Sequence, residues 1–166
     1  NIGLLNRIII DDVLLDDQDE QEMLKVTRLS AKFDIMPFFK GKISISSVQL
    51  FGFNINLRKE TPDSPPNFKF VLDAFASKDT VKKENSLDLR INSILIRRGR
   101  MSYHVLSEEE TPGKFNAKHI QLQNIIANIS LKALSKDSLN LGIKRLSLDE
   151  KASGFSLKKM SLKLVA

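Results

Sequence analysis

The sequence predicts an all-β domain: a curved, folded-over antiparallel sheet that forms a β-groove and carries two short helices. Three observations predict this fold. Apolar and polar residues alternate along most of the chain, apolar residues recur in a repeated group of four, and only two short windows have helical spacing. The 166 residues are 42% apolar and 28% charged, which is enough apolar content for a folded core.

Five stretches of the chain alternate apolar and polar residues in the way that strands with one buried face do. These stretches are 42–57, 87–105, 115–131, 139–148 and 155–164. Successive side chains of a strand point to opposite faces of the sheet, so an apolar residue at every second position places the apolar side chains on one face. The pattern therefore predicts a sheet with one apolar face.

A finer repeat lies inside this alternation. Two apolar residues two positions apart are followed by a polar pair and then by two more apolar residues two positions apart. The seven copies span 8–15, 24–31, 43–50, 89–96, 120–127, 141–148 and 155–162. The polar pair would turn the second apolar pair to the opposite face, and a β-bulge restores the original face and increases the local twist. Seven bent strands predict a strongly curved sheet; the alternative is that each copy is two short strands joined at a turn.

Gly99 interrupts the alternation of 87–105 and lies between Arg98 and Arg100. A glycine inside a strand indicates either a positive φ or a close approach of another group to the backbone. We therefore predict a bulge or tight turn at Gly99, with no space for a Cβ atom.

Two windows have the features of short helices. The first, 36–41, has Pro37 near its start and Gly41 at its end. The second, 67–76, follows two prolines and has Asn67 as its predicted N-cap. Its apolar stripe consists of Phe68, Val71, Leu72 and Phe75. The segments 78–86 and 108–113 are predicted to be an exposed loop and a hairpin loop.

The chain is predicted to be a single β-rich domain over 1–166. Because it begins at Asn1 and ends within a strand-like stretch, we expect it to be a fragment of a longer protein. Its longest apolar runs are only three or four residues, so no transmembrane helix is predicted.

Charge is distributed unevenly along the chain. The net charge is +6, but residues 1–23 carry a net charge of −6, which leaves +12 for the remainder. A basic body favours anionic partners, and Arg97, Arg98 and Arg100 form a candidate basic patch. The alternatives are a solvated lysine-rich surface and charges that protect sheet edges from aggregation. A nucleic-acid partner is not expected, because the chain has no Trp and one Tyr for base stacking.

No catalytic or metal-binding motif is found in the sequence. Cysteine is absent, which excludes disulfides and thiolate ligands. The two histidines, His104 and His119, lie in separate strand-like stretches and lack the spacing of a metal-binding pair, although the glutamates of 108–110 could approach His104 across a hairpin. We therefore expect no catalytic residue, no metal, no cofactor and no enzymatic activity.

Two segments resemble the N-terminal region of the AsmA-like protein family, which includes the TamB (translocation and assembly module subunit) proteins. The segment 33–75 contains a short helix that ends in Gly41, then KISISSVQL, then a strand from Gly52 to Arg58, and then Asn67 at the start of a second helix. The segment 89–103, LRINSILIRRGRMSY, resembles a strand element of the family. Gly99, Met101 and Tyr103 occupy the corresponding positions in this chain. The resemblance covers residues 24–166 approximately.

The resemblance implies a protein of the Gram-negative cell envelope. Members are held in the inner membrane by an N-terminal helix and extend into the periplasm as a folded-over sheet with an apolar trough. They are linked to outer-membrane biogenesis, through lipid transport between membranes or the assembly of outer-membrane proteins. The expected partners are thus lipid acyl chains, or detergent in their place, and the outer-membrane assembly machinery.

The predicted strands have more apolar residues than the apolar side chains of two short helices can cover. The uncovered residues therefore predict a trough lined by apolar side chains. The predicted lining residues are Ile45, Val48, Leu50, Ile94, Ile96, Leu122, Ile125, Leu146 and Leu148. An exposed trough predicts uptake of amphiphiles or self-association of the fragment. The main alternative is a structural or adhesive β-domain with a closed core and no ligand.

Overall fold

One seven-stranded sheet dominates the computed structural model, which describes residues 6–34, 36, 44–76, 92–135 and 138–165. Strand accounts for 69% of the described residues, and the sheet is not closed. The strands are β1 (Arg7–Asp16), β2 (Glu22–Asp34), β3 (Ser44–Lys59), β4 (Ser93–Val105), β5 (His119–Ser135), β6 (Ser138–Glu150) and β7 (Ser156–Val165). One helix, α1 (Lys69–Ala76), lies between β3 and β4 in the chain. The predicted all-β class is confirmed.

The strands follow one another across the sheet in sequence order, and five of the six pairings are antiparallel. The pairing of β3 with β4 is parallel. The sheet is therefore mixed, whereas the sequence predicted an antiparallel sheet. A parallel pair requires a crossover connection in place of a hairpin. Residues 60–92 provide that connection, and α1 is part of it.

The predicted helix at 67–76 is confirmed as α1, whereas the predicted helix at 36–41 lies outside the described residues except for Met36. The loop at 78–86 also lies outside them. Residues 108–113 lie in the connection between antiparallel β4 and β5, as predicted. Among the described residues, no helix has the length and apolar content needed to cross a membrane.

Several strands contain a residue with a positive φ. Asp12, Gly52, Arg98 and Asn124 lie inside strands and have φ between 54° and 65°. Asp12 and Asn124 are the second residues of predicted polar pairs, and β1 and β5 continue through them as single strands. The register of β5 with β6 shifts between Gln123 and Ile126, which confirms the predicted bulge for 120–127. The register of β1 with β2 is continuous across Asp12, so the predicted bulge is not seen for 8–15. The alternative of two short strands joined at a turn is wrong for both copies.

Gly99 lies between two shifts of register in the pairing of β4 with β5. A Cβ atom at this position would lie 2.9 Å from Ile125 Cβ, 3.0 Å from Phe53 Cδ1 and 3.1 Å from Ile96 Cγ2. The predicted bulge without space for a Cβ is confirmed. Close approach of side chains is the reason, because the positive φ belongs to the preceding Arg98.

A polar network ties the β1–β2 turn to β3 and to the start of the crossover. Asn67 does not act as the predicted N-cap. Its side-chain oxygen accepts a hydrogen bond from the Arg58 backbone N–H, and its Nδ2 donates to Asp17 Oδ2 and to the Asn56 carbonyl, each at 3.0 Å. Arg58 Nη2 also lies 3.0 Å from Asp17 Oδ2. Burial raises the pKa of Asp17, but the hydrogen bond from Asn67, two backbone hydrogen bonds and the charge of Arg58 hold it below its ordinary value.

A buried carboxylate organises the turn between β6 and β7. Glu150 is only 3% exposed. Its Oε1 accepts backbone hydrogen bonds from Gln121 and Ala152, and its Oε2 accepts from the backbone N–H and the hydroxyl of Ser153. Burial raises the pKa of Glu150, but these hydrogen bonds to the ionised form outweigh burial and lower the pKa to about 2.

We expect Glu150→Gln to lower the free energy of unfolding by about 1–3 kcal/mol, because glutamine has one acceptor oxygen and its amide would face N–H or O–H donors. The folded pKa of Glu150 lies below the ordinary 4.5, so the carboxylate stabilises the fold above pH 4.5 and loses this contribution as the pH falls towards 2. Denaturant unfolding at a series of pH values measures the effect. The variant should show a flatter dependence than the wild type over that interval, and an unchanged dependence would contradict this role. Glu109→Gln, at an exposed position, is the control.

Candidate functional site: an apolar sheet face

Strand pairing aligns apolar residues into rows that cross the sheet. Cross-strand partners lie on the same face, so a chain of paired residues defines a row of side chains. The first row consists of Ile8, Ala31, Val48, Ile94, Ile129, Ile143 and Leu162, and the second row consists of Ile10, Leu29, Leu50, Ile96, Ala127, Leu146 and Met160. Both rows contain one residue from each of the seven strands, and every member is apolar.

Two shorter rows continue this surface along the strands. The third row consists of Val13, Val26, Phe53, Gly99 and Ile125, and the fourth row consists of Leu15, Leu24, Ile55, Met101 and Leu122. The side chains of Ile96, Phe53 and Ile125 all lie within 3.1 Å of the position that a Gly99 Cβ would occupy. The second and third rows therefore share one face on either side of the bulge. We call the surface made by the four rows the apolar face.

The opposite face of the sheet is mainly polar. Ser30, Gln49 and Asn128 lie there, one residue away from members of the first two rows. Asp11 pairs with Arg28 in register, and the Arg28 Nε atom lies 2.6 Å from Asp11 Oδ1. The sheet is therefore amphipathic, as the alternation in the sequence predicts.

Side chains on the apolar face are mostly half-buried. Among the residues whose side chains the structure describes, five apolar ones are buried: Met23, Val26, Val105, Ile125 and Ala127. At the two outer strands exposure increases, to 52% for Ile8 and 49% for Leu162. A closed core would require a second layer over the four rows. In the described part of the chain, the eight-residue helix α1 is the one regular element outside the sheet, apart from the single helical residue Met36.

Seven of the nine predicted trough residues belong to the four rows of the apolar face, and the other two, Ile45 and Leu148, pair with apolar residues beyond the rows. Val48 and Ile94 belong to the first row, and Leu50, Ile96 and Leu146 to the second. Leu122 and Ile125 belong to the fourth and third rows, Ile45 pairs with Phe33, and Leu148 pairs with Leu157. Eight of the nine are half-buried, and Ile125 is buried.

The prediction omitted several residues of the same face, among them Phe53, Ile55, Met101 and Ile129. Their signal was present, since each continues the alternation beyond a bulge. Gly52 and Arg98, which have a positive φ, lie where the apolar alternation changes phase, and only the pairing of the strands shows that the apolar residues on both sides of them share a face.

The three arginines of the predicted basic patch are exposed and do not belong to the apolar rows. Arg97 pairs with Phe51 and Arg100 with Asn54, in the parallel pairing of β3 with β4. The guanidinium of Arg98 lies 5.1 Å from the centre of the Phe51 ring, a cation–π contact. Arg98 therefore covers an exposed aromatic ring beside the bulge.

No family model, no curated protein and no solved structure matches this chain. The fold and the apolar face therefore provide the observations on which a functional proposal depends.

Proposed function

We propose that this chain is a non-enzymatic periplasmic segment of an AsmA/TamB-like protein of the Gram-negative envelope, anchored in the inner membrane in its full-length form. In this proposal the apolar face shelters lipid acyl chains during transport between membranes. The observation that carries the proposal is a continuous apolar surface across seven strands whose side chains are mostly half-buried. The same face would suit apolar segments of outer-membrane proteins during assembly, which is the other activity that the resemblance implies.

The dimensions of the apolar face support an acyl-chain ligand. Six spacings between neighbouring strands, at about 4.8 Å each, make the first two rows roughly 29 Å long. The acyl chains of one membrane leaflet extend through about 15 Å, half of the hydrocarbon thickness. An acyl chain that lies along the rows would therefore remain on apolar side chains over its whole length.

The area of the face is also at the upper end of the range for apolar surface patches. From Ile8 to Leu15 the four rows extend about 23 Å along the strands, at roughly 3.3 Å per residue. The face thus measures on the order of 600 Å², the upper end of what monomeric proteins expose and a size typical of interaction sites. Each methylene buried against it contributes about 0.8 kcal/mol, so the length of the acyl chain determines affinity and no specific polar contact is required.

The alternative is a structural domain with a closed core. It needs apolar side chains from a second layer against residues such as Val48, Leu50 and Ile96, all of which are half-buried. The open sheet favours a ligand or a neighbouring segment over such a core.

Native mass spectrometry of the purified chain after incubation with dioleoylphosphatidylglycerol vesicles tests the proposal. We expect adducts of one or more phospholipid molecules, displaced by excess dodecylmaltoside, and weaker adducts for phospholipids with shorter acyl chains. A bare monomer would favour the closed domain. A dimer that excludes phospholipid would show that a second copy covers the face, and it would also count against the proposal.

A further inference from the structure

The two histidines of the chain meet on the polar side of the sheet, although they lie in different strands. The register of β4 and β5 places His104 directly opposite His119, and their Nδ1 atoms are 3.0 Å apart. Their neighbours in the same strands, Tyr103 and Ile120, pair with each other and continue the apolar alternation. The histidines therefore point away from the apolar face.

A carboxylate from the β4–β5 loop completes the group. Glu110 Oε1 lies 3.9 Å from His104 Nδ1. One ligand atom from each of His104, Glu110 and His119 can be chosen so that all three lie within 4.8 Å of one another. His119 is 8% exposed, His104 is half-buried, and Glu110 is at the exposed side of the group.

The orientation of His119 is fixed by a hydrogen bond on the far side of its ring. Its Nε2 lies 2.8 Å from the backbone carbonyl of Glu108. A carbonyl only accepts, so Nε2 carries the proton, and the Nδ1 lone pair of His119 accepts the hydrogen bond from His104 Nδ1–H, 3.0 Å away. Metal-ligating histidines commonly have this arrangement, with the second ring nitrogen donating to a carbonyl or carboxylate.

The loop that supplies these groups is held against the sheet. Leu106 and Ser107 donate backbone hydrogen bonds to the carbonyls of Lys59 and Glu60, at 2.9 and 3.0 Å. The Lys118 ammonium lies 2.6 Å from Glu108 Oε2. The backbone carbonyl of Glu108 thus accepts a hydrogen bond from His119, and its carboxylate pairs with Lys118. Glu110 then provides the carboxylate near the histidines.

We propose that His104, His119 and Glu110 form a binding site for a divalent transition-metal ion of the zinc class, with a fourth position open to water. Two imidazole nitrogens and a carboxylate are a common ligand set for zinc sites with one open position. Zn–N bonds of about 2.0–2.1 Å in tetrahedral geometry imply an N···N distance of roughly 3.3 Å. On binding, His104 carries its proton on Nε2 in place of Nδ1, so the hydrogen bond between the histidines is replaced by two metal–nitrogen bonds. The Nδ1 atoms need to separate by only a few tenths of an ångström, and the exposed Glu110 side chain can rotate inwards.

Arg58, the cation paired with His104 in the β3–β4 register, does not oppose an ion at this site. Its guanidinium lies 2.9 Å from Asp19 Oδ2 and 3.0 Å from Asp17 Oδ2, so its charge is compensated at the β1–β2 turn. The ion would tie the β4–β5 loop to both strands, on the face opposite the proposed lipid surface. This site is therefore independent of lipid binding.

The test is titration of the tag-free chain with Zn²⁺ by calorimetry and with Co²⁺ by visible absorption. We expect one ion per chain and the intense absorption of four-coordinate Co²⁺. His104→Ala and Glu110→Ala should each weaken binding about tenfold or more. Glu109→Ala, an exposed neighbour in the same loop, should bind as the wild type does.

Nitrogen NMR of the imidazoles keeps the test independent of any folding defect in a variant. In the wild-type chain, Zn²⁺ should shift the Nδ1 resonances of both histidines much more than their Nε2 resonances. No uptake at micromolar Zn²⁺, uptake undiminished in His104→Ala, or shifts confined to Nε2 would each overturn the proposal.

Discussion

Replacing Gly99 by valine is expected to destabilise the chain by about 3 kcal/mol, the upper range for overpacking a well-packed site. The added Cβ would be 2.9 Å from Ile125 Cβ, closer than Cβ atoms approach in folded proteins, and 3.0 Å from Phe53 Cδ1, tighter than most Cβ contacts. These two side chains come from the strands on either side of β4, so the clash would push both neighbours away at the bulge. Denaturant unfolding, followed by circular dichroism, measures the loss.

Two comparisons isolate the cause of that loss. Gly99→Ala adds the Cβ alone and should give a smaller destabilisation in the same direction. Arg97→Val introduces the same valine two residues earlier at an exposed position, where changes within about 0.5 kcal/mol are usual. A Gly99→Val variant as stable as the wild type would contradict the packing at the bulge described above.

Replacing Val48 by glutamate is expected to abolish most lipid binding while the chain still folds. Val48 lies in the middle of the first row and is half-buried, so a glutamate can reach water from an open face. A charge against acyl chains costs about 2.5–3.5 kcal/mol, which corresponds to a loss of affinity of roughly a hundredfold. Fluorescence titration with a labelled phospholipid, together with denaturant unfolding, measures both quantities.

Leu95→Glu is the matched control for this variant. Leu95 is also half-buried and apolar, but it pairs with Gln49 and Asn128 on the opposite face. We expect it to retain the wild-type affinity for phospholipid. If Val48→Glu unfolds the chain, with a loss of several kcal/mol, then Val48 lies in a closed core, where an unpaired carboxylate has no access to water.

Local features of the fold were predictable from the sequence because the side-chain period of a strand is a local property. Alternation places Val48 and Leu50 on one face without knowledge of the neighbouring strands. The polar pair before Ile125 and the glycine at position 99 likewise indicate bulges through their own conformational preferences.

Features that depend on pairing between distant segments were not predictable in this way. The parallel contact of β3 with β4 follows from the crossover, and no local pattern indicates which strands become neighbours. His104 and His119 are fifteen residues apart in the chain, and their contact depends on the register of β4 with β5. Asn67 has the residue type of an N-cap, but contacts with Arg58 and Asp17 determine its role.

The most direct measurement of the central claim compares photo-crosslinking to phospholipid at Ile96 and at Leu95. These neighbours in β4 are both half-buried and apolar, but Ile96 belongs to the second row and Leu95 lies on the opposite face. A photoreactive benzoylphenylalanine replaces each in turn, and the chain is irradiated with radiolabelled phosphatidylglycerol vesicles. The account predicts a phospholipid adduct at position 96 and none above background at position 95. Equal labelling at both positions, or no labelling at position 96, would contradict it.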